Sequence, residues 1–192
     1  EINQPLGAIQ INSEFLQKKV QEKNLDRELI TRIAGDIAKD NMRAARIIQT
    51  LRAIFTEKYD ATPDQVSAAE VIESVLLLSK SDLNQKHIQV NIEMPDRLQV
   101  PMSFGEAQQL FLNLLNNSVQ ALEHSTALPK MVRFIGSQSS TQLLIRVVDN
   151  GPGVSVAQQD SLFDLFSGSK RAGMGLGLWL CNYIVTRNGG RI

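Results

Sequence analysis

The sequence predicts an α+β chain, with an amino-terminal antiparallel helical hairpin followed by a domain that mixes helices with antiparallel strands. Three observations carry this. Residues 1–58 repeat apolar positions at helical spacing in two runs separated by the polar stretch 21–24. Residues 87–94 alternate apolar and polar (Ile88, Val90, Ile92, Met94), as a half-buried strand does. From residue 67 onward the two periods interleave, which is the pattern of helices layered on a sheet.

In the first helix Ile2, Leu6, Ile9, Ser13, Leu16 and Val20 fall on one face, and Pro5 marks its first turn or a kink. The second carries Ile30, Ile33, Ile37, Asn41, Ala44, Ile48, Leu51 and Phe55, about 3.6 residues per step, with charges opposite. Two such helices joined by a short loop form a hairpin whose apolar stripe stays half covered. Pairing with a second copy into a four-helix bundle covers it, so a homodimer is expected. Residues 59–66, with Pro63, read as a linker. Ser67-Ala68-Ala69-Glu70 fits a capping box opening a helix through Val71, Val75 and Leu78. Strands follow at 87–94 and 98–100, then a helix over 103–123 with Leu112, Leu115, Val119 and Leu122 as its buried stripe. Strands at 131–136 and 142–149 and a last helix over 175–187 complete the chain.

Composition narrows the function. Twenty basic residues balance twenty acidic ones with no basic stripe, which argues against nucleic acid as a partner. A single cysteine, Cys181, excludes an internal disulfide framework and fits a reducing compartment. No apolar run reaches the roughly 18 residues of a membrane span, so no membrane contact is expected from these residues. Glu1 is not a natural start, and 189–192 stop where a strand would begin, so the chain reads as a fragment.

Three clusters carry chemistry. Asn113, Asn116 and Asn117 sit on the 103–123 helix, where asparagine is a poor helix former. Asn113 and Asn117, at i and i+4, project from one face, and amide oxygens suit a hard cation such as Mg²⁺. The alternative is a polar surface or a satisfied core hydrogen bond. Asp149 ends an apolar strand and is followed by Asn150-Gly151-Pro152-Gly153. A carboxylate there can accept a hydrogen bond from an exocyclic amine, although the same residues also make an ordinary turn. Gly173, Gly175 and Gly177 open an apolar helix, and glycine amides at a helix amino terminus make an anion site. The trio is neither a Rossmann fingerprint nor a Walker loop, because no βαβ unit surrounds it and no Gly-Lys-Ser/Thr follows. The long loop 154–172 reads as a lid.

The order of these parts is more specific than any one of them. Asparagine-rich helix (113–121), Asp-x-Gly-x-Gly (149–153), Phe163-x-x-Phe166 and Gly-x-Gly-x-Gly (173–177) resemble the N, G1, F and G2 boxes of two-component sensor histidine kinases. Glu1-Ile2-Asn3-Gln4-Pro5-Leu6 resembles the remainder of the H box, directly after its phosphoacceptor histidine. The resemblance implies a hairpin dimerisation and phosphoacceptor domain over 1–60, a linker over 61–66 and an ATP-binding catalytic domain over 67–192. That last domain would be a two-layer α/β sandwich of the type shared with gyrase, Hsp90 and mismatch-repair ATPases.

It also implies roles. Asp149 would bind the adenine amino group; Asn117 would coordinate Mg²⁺ on the phosphates, with Asn113 supporting. Gly151 and Gly153 would let the backbone approach ATP. Lys170, Gly173, Gly175, Gly177 and Leu178 would form lid and phosphate cradle, and Glu1 would activate the neighbouring histidine. The implied partner is the receiver domain of a response regulator, and the implied location the bacterial cytoplasm, with a parent protein that is free to be membrane-anchored. Two residues depart from the pattern. Gln4 stands where many relatives carry Thr or Asn for dephosphorylating the regulator, and Ser118 where alanine is usual. The histidines present, His87 and His124, lie off the hairpin, so the phosphoacceptor is expected just before Glu1. A nucleotide-binding dimerisation module without kinase activity is the alternative.

Overall fold

A computed structural model describes residues 2–20, 26–55, 65–123, 125–164 and 176–192. The chain divides into two units, residues 1–58 and 59–192.

The first unit is a helical hairpin of α1 (Asn3–Val20) and α2 (Arg27–Phe55). Pro5 lies in the first turn of α1, where its missing N–H costs nothing, and it is buried. Asp26 caps α2, its Oδ1 accepting from the amides of Glu28 and Leu29 at 3.1 Å. The shielded face of the hairpin follows the predicted stripe in part. On α1 the buried or half-buried positions are Ile2, Pro5, Gly7, Ala8, Ile9, Asn12, Ser13, Leu16 and Lys19, and among the described side chains of α2 Leu29, Ile30, Ile33, Asp36, Ile37, Asp40, Ala44 and Ile47. Ile2, Ile9, Ser13 and Leu16 of the predicted α1 stripe and Ile30, Ile33, Ile37 and Ala44 of the predicted α2 stripe are thus shielded as expected. Leu6 (47% exposed), Val20 (57%) and Ile48 (52%), however, fall outside the seam, and Asn41 is exposed. Leu51, Phe55 and the connecting loop at 21–24 lie outside the described residues and side chains.

The second unit is a two-layer α/β arrangement. β1 (Gln65–Ser67) pairs antiparallel with β3 (Gln99–Pro101). Gln65 and Val66, assigned to the linker from sequence, thus belong to this unit. The main sheet has the order β2 (Ile88–Glu93), β4 (Lys130–Gln138), β5 (Leu143–Asp149). β4 and β5 are antiparallel, but β2 and β4 run parallel, which corrects the expectation of antiparallel strands throughout. Parallel neighbours need a crossover, and α4 (Phe104–Glu123) supplies it.

Helices α3 (Ala68–Gln85), α4 and α6 (Leu176–Arg187) form the covering layer, with a short α5 (Val156–Gln159) in the loop read as a lid. Ser67 accepts from the Glu70 amide at 3.4 Å, the serine half of the expected box. A complete box opens α4: Ser103 Oγ accepts from the Glu106 amide, and Glu106 Oε2 accepts from the Ser103 amide at 3.2 Å and hydroxyl at 2.8 Å. α6 ends in a Schellman turn in which Gly189 (φ 78°) donates to Thr186 and Gly190 to Val185.

The core lies between α4 and the sheet, where Phe111 meets Phe134 edge-on at 6.1 Å. Leu115, Leu122, Val132 and Ala107 are fully shielded, while Leu112, placed in the stripe from sequence, is half-buried. Cys181 is buried on α6, and burial pushes its thiol pKa up to about 12, consistent with a packing role. Lys86 ties the end of α3 to the end of α4 through Asp82 and Glu123. Partial burial pulls its pKa down, but hydrogen bonds to both carboxylates outweigh this and the net shift is upward.

Candidate nucleotide site

α4 is the rail on which the site is built. Its capping box fixes where the helix starts, and its buried face against β4 fixes its rotation. Asn113, Asn117 and Ala121 then follow at four-residue spacing along one stripe. Each of them meets something different.

At the carboxyl-terminal end of the stripe, the turn after β5 closes on Ala121. Asp149 pairs across the sheet with Val132, and antiparallel partners share a face, so its side chain lies on the helix side of the sheet. Its Oδ1 accepts from the Gly151 amide at 2.9 Å. A β-carbon on Gly151 would lie 2.8 Å from that oxygen and 3.3 Å from the Ala121 Cβ. Only glycine leaves both the carboxylate and α4 in place. Asn150, which the sequence reading passed over, anchors the turn. Its Nδ2 donates to the Pro129 carbonyl and its Oδ1 accepts from the Met131 amide, both at 2.8 Å. The side chain thus extends the ladder one rung beyond β5 and sets the position of Asp149. Gly153 has φ 73°, which an L side chain adopts only with strain.

At the amino-terminal end of the stripe, α6 begins against Asn113. A β-carbon at Gly177 would lie 3.5 Å from Asn113 Oδ1, so the first turn of α6 passes directly over this amide. Leu178 follows, half-buried. Between these two closures lies Asn117, whose Nδ2 is buried without a hydrogen-bond partner. An unpaired buried amide costs roughly 1–3 kcal/mol unless something pairs with it. Rotating the amide half a turn about its last bond puts Oδ1 in the same place, so the group can offer a donor to an anion or an oxygen to a cation. Among the described residues no cluster of three His, Cys, Asp or Glu is placed to hold a metal. A divalent ion here would therefore depend on amide oxygen, water and its nucleotide's own phosphates.

The structure brings together Asn113, Asn117, Asp149, Gly151 and Gly177. Glu1, Phe166, Lys170, Gly173, Gly175 and His124 lie outside the described residues. His87 sits in the turn between α3 and β2 with φ 53°. Ser118, one position round α4, is buried in the core at 6% exposure.

Residues 105–192 match the family described as histidine kinase-, DNA gyrase B-, and HSP90-like ATPase. The whole chain aligns at 28% identity over 197 residues with the sensor histidine kinase TmoS of Ectopseudomonas mendocina, covering 20% of that protein. The chain spans between 20% and 40% of the length of the curated relatives it matches. Among solved structures, the Acinetobacter baumannii histidine kinase AdeS superposes with TM-score 0.68 at 19% identity, over 97% of this chain and 85% of that one. The histidine kinase ThkA, solved in complex with the response regulator protein TrrA, does so with TM-score 0.67 at 16% identity, over 98% and 53%.

Proposed function

We propose that this chain, a sensor histidine kinase core, binds MgATP along the Asn113–Asn117–Ala121 stripe of α4 and serves phosphoryl transfer from ATP to a histidine and on to a regulator aspartate. The observation that carries the reading is the buried, unpaired amide of Asn117, between the Gly151 turn, which a side chain would obstruct, and the first turn of α6 at Gly177. Asp149, held by its bond to the Gly151 amide, offers its second oxygen to an exocyclic amine at the Ala121 end. Asn117, supported by Asn113, meets the phosphates or their Mg²⁺ further along, and the start of α6 with Gly177 and Leu178 presents backbone N–H groups to the anion. Gly153, Lys170, Gly173 and Gly175 belong to the turn and lid of the same reading. Bound MgATP would supply the γ-phosphoryl group; the protein's part is to position it and exclude water, which dominates phosphoryl transfer.

The phosphoacceptor in this reading is a histidine directly before Glu1, with Glu1 polarising it. The hairpin dimerises, because Leu6, Val20 and Ile48 remain exposed outside its internal seam. A response-regulator receiver domain is the partner, in line with the complex recorded for ThkA. The division into a hairpin over 1–60, linker and ATP-binding domain, and a bacterial cytoplasmic setting, complete the proposal.

Calorimetry with ATP and Mg²⁺ tests it. The chain should bind, and Asp149→Asn should weaken binding roughly 10–100-fold, the range for losing a hydrogen bond to a charged group. No binding, or equal binding by Asp149→Asn, would remove the nucleotide assignment.

A further inference from the structure

We infer that the open side of the second unit, where α3 overhangs β2, is a two-fold contact with a second copy of this chain that continues both layers at once. β2 has β4 on one side, and among the described residues no strand pairs with its other edge. It contains neither the Lys nor the Pro that blunts natural sheet edges. Alongside it runs a groove of 340 Å³ whose walls include Glu73, Leu76, Leu77 and Lys80 of α3 and Ile88 and Val90 of β2. Leu77 is 73% exposed.

The chemistry of this edge is self-complementary. On α3, Glu73 and Lys80 stand two turns apart with Leu76 and Leu77 midway between them. Neither charge has an ion-pair partner among the described residues. A two-fold axis at the Leu76–Leu77 midpoint sets Glu73 of each copy against Lys80 of the other. On β2, an antiparallel register centred on Val90 sets Ile88 against Ile92 and Gln89 against Asn91, so apolar positions meet on the inner face and polar ones on the outer. Measured along the chain, the two centres lie at similar distances, within about 3 Å, from the turn that joins α3 to β2. From the turn at Lys86 and His87, the helix centre lies about 15 Å back along α3 and Val90 about 12 Å along β2, by the ordinary rise of each element. An axis perpendicular to the sheet can then pass near both. A peptide strand would satisfy the edge of β2 but leave α3 uncovered, whereas a second copy covers both.

The test uses the full chain carrying Leu77→Cys, since a residue at the axis faces its own copy and Cys181 is buried. Mild oxidation should yield a covalent dimer far faster than it does for Leu128→Cys, a control that is 86% exposed elsewhere on the unit. In the Leu77→Cys background, Glu73→Lys and Lys80→Glu should each slow cross-linking roughly twofold to tenfold, as two weak surface pairs lost together would, and the double swap should restore it. Cross-linking no faster than the Leu128→Cys control, or a double swap as slow as the singles, would overturn the contact. So would a Leu77→Cys thiol shielded from alkylation at dilutions where the chain is monomeric, because the hairpin would then be the occupant. Nothing in this inference uses the nucleotide: failure of the kinase reading would show as lost MgATP binding with cross-linking intact.

Discussion

Gly151 and Gly177 are both glycines beside the α4 stripe, but for different physical reasons, and substitution separates them. A methyl at Gly151 lands 2.8 Å from Asp149 Oδ1, closer than any real β-carbon contact, so the carboxylate must leave its place. Gly151→Ala should therefore lose at least tenfold in MgATP affinity, by displacing the group proposed to read the base, and about 1–2 kcal/mol in stability. A methyl at Gly177 meets only ordinary contact with Asn113 at 3.5 Å and sits in a helix, where Ala is preferred by up to about 1 kcal/mol. Gly177→Ala should keep or raise the urea midpoint while weakening MgATP, because the methyl stands where the backbone is proposed to approach phosphate. Calorimetry and urea titration of the two variants check this. Wild-type affinity in Gly177→Ala would show that no ligand comes close to this turn.

Among the elements, α4 does most to shape the site, and its start is fixed by three bonds between Ser103 and Glu106, against one 3.4 Å bond from Ser67 at the start of α3. Ser103→Ala should cost about 1 kcal/mol and Ser67→Ala less, read as urea midpoints at unchanged slope. The same element shows what was legible in the sequence. The existence of α4, the shared face of Asn113 and Asn117 and Asp149 at a strand end all followed from local pattern, and the structure has them. Three things did not. The parallel pairing of β2 with β4 is a non-local choice made by the crossover, and alternation of side chains looks the same in either direction. In the hairpin, Leu6 and Ile48 of the predicted stripe are exposed while their neighbours Pro5 and Ile47 are buried, a choice made by the partner helix and not by the period of one helix alone. The role of Asn150 depends on the Pro129 and Met131 backbone some twenty residues away, and an Asn-Gly pair alone reads as a turn.

At the scale of the whole molecule, the proposed reading gives the two units different sources of stability, and their unfolding should then be separable. Residues 59–192 hold the Phe111–Phe134 core and the proposed nucleotide stripe. Residues 1–58 form a hairpin whose seam includes Asn12, Lys19 and Asp40 and which leaves Leu6, Val20 and Ile48 outside it. In the proposed reading the hairpin's stability comes largely from a second copy, and the stability of the larger unit responds to ligand. Calorimetric melting should then show two transitions with opposite sensitivities. Tenfold dilution should lower the hairpin midpoint and leave the other in place, because only an association step depends on concentration. MgATP at about 100 times its dissociation constant should add roughly 2.7 kcal/mol to the larger unit. For a unit of about 130 residues, that raises its midpoint by about 10 °C while the hairpin transition stays put. A single transition that moves with both dilution and nucleotide would mean that the units fold as one, and that the hairpin is a structural part of the nucleotide domain.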